Sequence, residues 1–182
     1  INIYSKIFVV ILGYFLIPLI ISIPFYLSIY NLSFLNCYFE SISGFTSTGF
    51  TVFENIKHLD ESLILWRSTS QWLGGLFFLF SLILLIDVSS FKLKNFLTSF
   101  VSINIAEIKK QFFKIFVIYL SITVFICILL KIADFRLFDS LNLSMTFISS
   151  GGFLPSNTLD EIANTNNKIF IAIMRINFHN VP

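Results

Sequence analysis

Charged side chains are scarce in this sequence: 12 lysines and arginines and 10 aspartates and glutamates make up only 12% of the 182 residues. A soluble domain carries about 25%. So little charge excludes intrinsic disorder, which needs low hydrophobicity and high charge. It also argues against a soluble globule, which has to cover its apolar interior with polar surface. A net charge of +2 leaves no electrostatic footprint for nucleic acid. Cysteine is nearly absent. Cys37 and Cys127 lie too far apart for a metal or redox spacing, and each is expected as a small buried hydrophobe. No P-loop lysine, HExxH pair or paired membrane carboxylates occur, so the sequence does not read as an enzyme and implies no cofactor. What is present is apolar. Hydrophobic residues make up 56% of the chain, 24 of them phenylalanine, and the mean hydropathy is +0.87. This composition predicts an all-α integral membrane protein.

Three charge-free runs set the spans. The apolar run Ile7 to Ile29 has 23 positions, roughly 34 Å as a helix, enough for a hydrocarbon core of about 30 Å. Pro18 and Pro24 lie inside it and are expected to kink the helix. The second run is Ser68 to Ile86, and the third is Ile115 to Leu130, extended by snorkelling Lys114 and Lys131. A fourth begins near Ile169, is interrupted by Arg175 and stops at Pro182. The chain does not begin with Met and stops inside that run, so it reads as part of a longer protein.

Charge orients these runs. Lys92, Lys94, Lys109, Lys110 and Lys114 lie between the second and third runs, opposed by Asp87 and Glu107. The positive-inside rule puts this segment in the cytoplasm. The flanking segments carry more acid: Glu40, Glu54, Asp60 and Glu61 in one, Asp134, Asp139, Asp160 and Glu161 in the other. Both are expected outside, in a multi-pass protein of the cell membrane. The division is 1–86 as a first helix–pore-loop–helix repeat, 87–113 as a cytoplasmic basic linker, and 114–182 as a second repeat with its last helix incomplete.

The repeat is visible in the outer segments. A shift of 103 positions lays Ser41 on Ser144, Thr46 on Ser149, Ser47 on Ser150, Gly49 on Gly152 and Phe50 on Phe153, without gaps. Each segment holds about three turns of helix, Ser33 to Ser43 and Phe138 to Ser149, followed by hydroxyl residues and glycine. A single such cluster is often a polar turn. Two at equal positions favour re-entrant loops. A helix that stops inside a membrane leaves its last carbonyls unpaired, which is tolerated where the backbone is buried in protein or lines water. Its C-terminal end carries partial negative charge that favours a cation. Gly49 permits positive φ, so Thr46, Ser47, Thr48 and Gly49 can turn successive carbonyls toward one axis. Neither loop has a carboxylate within the hydroxyl–glycine stretch. If both loops line one pore, Gly49 and Gly152 should lie within about 10 Å, with both short helices aimed at a shared axis.

YFESISGFTSTGFTV at Tyr38 to Val52, LWRSTSQWLGGL at Leu65 to Leu76 and FISSGGFLPSN at Phe147 to Asn157 resemble the TrkH/KtrB superfamily of potassium-uptake channels and transporters. The resemblance implies four repeats around one pore, of which this chain holds the first and most of the second. It implies K⁺ as the transported ion, held by backbone carbonyls of Thr46, Ser47, Thr48, Gly49, Ser149, Ser150, Gly151 and Gly152. The filter glycines would be Gly49 and Gly152, with Gly151 as the alternative. Glycine at the Gly49 position accompanies K⁺ selectivity in that family, whereas serine there accompanies Na⁺ permeation in some plant relatives. As partners it implies membrane lipid, the remaining two repeats, a second copy in a homodimer and a cytosolic nucleotide-binding regulatory subunit. Phe77 and Phe78 depart from the family, which usually has a smaller continuation after Gly74-Gly75. The competing reading is a secondary transporter of a small solute or ion with broken helices. That architecture usually shows inverted repeats, whereas these two run the same way.

Some residues remain open. Glu40 and Arg67 either pair with each other or reach the outer interface separately. Gln71 shares a helix face with Arg67. Gly74-Gly75 is expected to seat a close neighbour, and Trp66 and Trp72 to anchor at the interface. His58 reads as solvated, and His179 has no nameable partner. The basic linker suits anionic lipid or a cytosolic partner. The charge asymmetry makes a direct prediction. Cysteines substituted at Asn55 or Thr158 should react with impermeant thiol reagents from outside, and at Ser90 or Ser102 from inside. Opposite sidedness at either pair would overturn the topology.

Overall fold

The computed structural model describes residues 3–86, 105–158 and 162. The stretch 87–104, which carries much of the basic linker, lies outside the described residues, as does the fourth apolar run with Arg175 and His179. The described residues are helical and contain no strand: α1 (Ile3–Ser28), α2 (Phe34–Phe45), a 3-10 turn (Ile56–His58), α3 (Glu61–Ile86), α4 (Ile105–Ile132) and α5 (Leu137–Ser149). α4 starts at Ile105, inside the stretch read from charge as linker. His58 sits exposed on the 3-10 turn.

α1, α3 and α4 are each long and apolar enough to span a membrane. Their burial runs opposite to their hydropathy. The most apolar 18-residue windows of α1 and α4 (hydropathy 2.6 and 2.7) are 22% and 17% buried, whereas that of α3 (1.5) is 39% buried. Water would force the reverse order. With lipid as solvent, apolar faces turn outward and the helix with more small and polar residues goes inside. α3 is accordingly the inner helix and packs against α1, α2, α4 and α5.

α1 stays helical through Pro18 and Pro24. Each proline removes one N–H and loosens the turn before it. In those turns two carbonyls accept from a neighbouring helix: Phe15 from the Tyr38 hydroxyl (3.1 Å) and Ile21 from the Trp66 indole N–H (3.0 Å). The Trp72 indole donates to Thr123 Oγ1 of α4 at 2.9 Å. Both tryptophans thus brace neighbouring helices. A buried indole N–H needs an acceptor, and inside the bundle these are the ones within reach.

The two short helices stop against the middle of α3, where side chains are missing. A Cβ on Gly74 would lie 1.9 Å from the Phe45 carbonyl oxygen, at the end of α2. One on Gly75 would lie 3.1 Å from Ser149 Cα, at the end of α5, and 2.6 Å from the Tyr119 hydroxyl. The close neighbours expected for this pair are thus the ends of both short helices. The bulky Phe77 has its own niche. Its ring occupies the space a side chain at Gly13 would need, and it packs with Tyr14 and Phe45 at centroid distances of 5.0 and 5.4 Å.

All outer connections meet at one end. Asn157 accepts from the Ile56 N–H (2.7 Å) and donates to Asn55 (2.8 Å), while Arg136 pairs with Glu61 at 3.3 Å. Both short helices therefore enter from the end of the bundle where α3 begins and α4 finishes. The glycine seats predict an order of effects. Gly74→Ala meets rigid backbone and should lower thermal stability in detergent by about 1–3 kcal/mol. Gly75→Ala, which meets a movable hydroxyl, should cost less. Equal, negligible losses would mean that α3 does not carry the helix ends.

Candidate functional site

The two loops that follow the short helices are built on one plan. α2 ends with the Ser47 N–H on the Gly44 carbonyl (3.0 Å) and the Thr48 N–H on the Ser43 carbonyl (3.0 Å). α5 ends with the Ser150 N–H on Phe147 (3.3 Å) and the Gly151 N–H on Thr146 (3.1 Å). These are two Schellman closures, related by the 103-residue shift. The left-handed residue, usually glycine, is serine in both, with φ of 56° at Ser47 and 52° at Ser150. Such a φ costs a residue with a Cβ about 1–2 kcal/mol. The closures also correct one expectation: at each helix end, two of the carbonyls predicted to be left over accept from the turning chain.

A second matched bond lies beyond each turn. Ser43 Oγ donates to the Phe50 carbonyl (2.5 Å), and Thr146 Oγ1 donates to the Phe153 carbonyl (2.6 Å), again one shift apart. Each short helix thus holds its own outgoing strand by a hydroxyl. The 103-residue shift lays Ser43 on Thr146, a serine on a threonine, so the shared hydroxyl is the only signal of this bond in the sequence.

Support from outside the repeat differs. The first strand is held by charge. Glu40 accepts from the Val52 N–H (2.9 Å), Thr51 Oγ1 (3.0 Å) and Arg67 Nε (2.8 Å). Both Glu40 and Arg67 are fully buried. Of the two readings of these residues, the pair is the one formed. Arg67 also donates to Thr51 Oγ1 (3.1 Å) and to the Leu154 carbonyl (3.5 Å), and its guanidinium stacks 4.2 Å from the centroid of the Phe153 ring. It therefore touches both loops. In the second repeat the counterparts of Glu40, Thr51 and Val52 are Leu143, Leu154 and Pro155. Proline has no N–H and leucine no hydroxyl, so there is nothing for a carboxylate to satisfy. That strand is held by a neutral amide. Gln71 Oε1 accepts from the Phe153 N–H (3.2 Å), and Nε2 donates to Thr146 Oγ1 (2.5 Å) and to the Phe153 carbonyl (3.4 Å).

The glycines mark close approaches. Gly49 has a φ of 79°, and a Cβ there would lie 2.6 Å from Gly152 Cα. Gly152 does not share the positive φ; a Cβ on it would lie 2.9 Å from Gly49 Cα, so it is small for the same contact. The two backbones touch, well inside the expected 10 Å. Gly151, the alternative filter glycine, faces elsewhere, with its absent Cβ 2.0 Å from Gln71 Oε1. Toward the Ile86 end of α3, below the loops, lies a cavity of about 400 Å³. Thr46, Ser47, Ser149 and Ser150 line it, with Tyr14 and Tyr119 among its walls. Both short helices thus end at one cavity, and their partial negative ends converge there. Among the described residues no three His, Cys, Asp or Glu side chains come together. At the other end of α5, burial raises the Asp139 carboxyl above its ordinary range, against the lowering effect of Arg136.

The buried pair predicts asymmetric losses. Removing one partner strands the other charge, so Glu40→Gln or Arg67→Met should each lower stability by about 3–5 kcal/mol. The double substitution should recover part of that loss in detergent melting curves. Full additivity would show that the two do not act as a pair.

No family model matches the chain. It is 35% identical over 146 residues to an uncharacterized cation transporter of Methanocaldococcus jannaschii, covering 75% of this chain and 29% of that protein. The Trk system potassium uptake protein TrkI of Halomonas elongata is 46% identical over 55 residues, 30% of this chain and 11% of that one. TrkH of Vibrio parahaemolyticus is 26% identical over 132 residues, 68% of this chain and 27% of that one. The crystal structure of the Vibrio parahaemolyticus potassium transporter TrkH superposes with a TM-score of 0.76 at 22% identity, over 95% of this chain and 35% of that one. The chain thus spans under a third of the length of the curated relatives it matches. The relatives and the three candidate membrane helices agree, and the superposed structure shows the same fold: the chain belongs to the TrkH/KtrB superfamily and is a multi-pass protein of the cell membrane.

Proposed function

We propose that this chain contributes the first two quarters of a pore for potassium uptake. The observation that carries the reading is the pair of like-built loops whose backbones meet at Gly49 and Gly152, above the converging ends of two short helices. K⁺ sheds water at the outer mouth and is held by the carbonyls of Thr46, Ser47, Thr48 and Gly49, and of Ser149, Ser150, Gly151 and Gly152. It then passes to the cavity below, where the helix ends favour a cation. K⁺ is the substrate, and the reaction needs no cofactor. The direct contact of the two loops suits neighbours around an axis, so two further repeats complete the ring. The division into repeats 1–86 and 114–182 joined by a basic linker belongs to this proposal, as do a homodimer and a cytosolic nucleotide-binding regulatory subunit.

Potassium uptake is what the matched TrkI and TrkH are named for. The parallel sense of the repeats weighs against the secondary-transporter alternative, whose repeats usually run in opposite senses.

Gly49→Ser in the full-length protein tests the filter. The serine Cβ enters a left-handed φ against Gly152, and its hydroxyl adds a ligand suited to a smaller ion. Discrimination of K⁺ over Na⁺ should fall about tenfold, the factor carried by ~1.4 kcal/mol. The measurement is K⁺ uptake in a K⁺-auxotrophic host with and without competing Na⁺. Unchanged discrimination at normal membrane abundance would remove Gly49 from the filter.

A further inference from the structure

We infer that Gln71 is the positioning residue of the second loop: its amide sets the backbone register of 149–152 and, through it, ion discrimination. The inference rests on the filter reading above and adds a residue that lies outside both loops. Gln71 is fully buried, one turn along α3 from Arg67. A primary amide offers one acceptor and two donors, and here both ends are used on the same strand. Oε1 takes the Phe153 N–H, and Nε2 gives to the Phe153 carbonyl and to Thr146 Oγ1, which itself gives to that carbonyl. Phe153 directly follows Gly152. The residue that follows the proposed filter is therefore gripped at both its N–H and its carbonyl.

The same side chain explains the glycine beside it. A Cβ on Gly151 would meet Gln71 Oε1 at 2.0 Å, Cδ at 2.7 Å and Cβ at 3.1 Å. Gln71 lies flat along the strand from 151 to 153 and fixes its depth by contact as well as by hydrogen bonds. The first loop has no such amide and takes its depth from Glu40 at Val52 and Thr51. Because Gly49 touches Gly152, a slip of the second strand would move the first loop's glycine too.

The test uses the full-length protein in the K⁺-auxotrophic host, reading the Na⁺ inhibition constant relative to the K⁺ half-saturation. This ratio does not change with the amount of protein or its stability. Gln71→Met keeps volume and removes every polar contact; it should lower the ratio about tenfold. Gln71→Glu keeps the acceptor for the Phe153 N–H and should fall between Gln71→Met and the native protein. Leu82→Ala, on an exposed position of the same helix and outside both loops and the cavity, should leave the ratio unchanged and controls for helix disturbance. A ratio that moves with Gly49→Ser but not with Gln71→Met would overturn the positioning role and leave the filter standing. A ratio that moves with neither, at normal membrane abundance, would overturn the filter reading and this inference with it.

Discussion

A guanidinium and a carboxylate with no solvent exposure, 2.8 Å apart, lie in a protein whose surroundings are hydrocarbon. Neither ion is tolerable there alone, and the pair is tolerable only if the remaining donors and lone pairs are used. Glu40 uses its oxygens on the Val52 N–H and the Thr51 hydroxyl; Arg67 uses its other nitrogens on Thr51 and the Leu154 carbonyl. Those partners belong to irregular backbone, whose buried polar groups would be left unsatisfied without them. Ions and loops thus satisfy each other. The rest of the fold keeps this exchange dry and in register: short helices that stop early, an inner helix that reaches both, and apolar faces turned outward.

α3 meets three demands at three levels along its length. Arg67 and Gln71 supply polar side chains where the strands pass. Gly74 and Gly75 withdraw side chains where the short helices end, and Phe77 fills the space left by Gly13 on α1. These demands explain why α3 is the least apolar of the long helices and the most buried.

Much of this was legible in the residues. Helix spans followed from charge-free runs, because length and apolarity are what a bilayer selects. The short helices came within about two residues of their true ends, and the two loops came from the 103-residue shift. The contact of Gly49 with Gly152 was anticipated as proximity. What stayed hidden were relations that need a third element. The use of Gln71 on Phe153 crosses 82 positions and no spacing announces it. The left-handed serines were unreadable because serine is not the residue that φ selects. The acceptors of the two indoles, on α1 and α4, were equally hidden, being 45 and 51 positions away. The exchange of Glu40 and Val52 for Leu143 and Pro155 was present in the overlay all along. Its meaning is chemical rather than sequential: where the N–H is gone, the carboxylate can go with it.

The second loop is steadied by a helix of the first repeat, and this has a consequence for biosynthesis. A ribosome makes α3 before it makes α4 and α5. The Gln71 amide and the Gly75 seat are therefore already in place when Thr146 to Phe153 emerges. For the second loop, translation order and structural dependence therefore run in the same direction, whereas the first loop waits for Arg67 and Gly74, which are made after it.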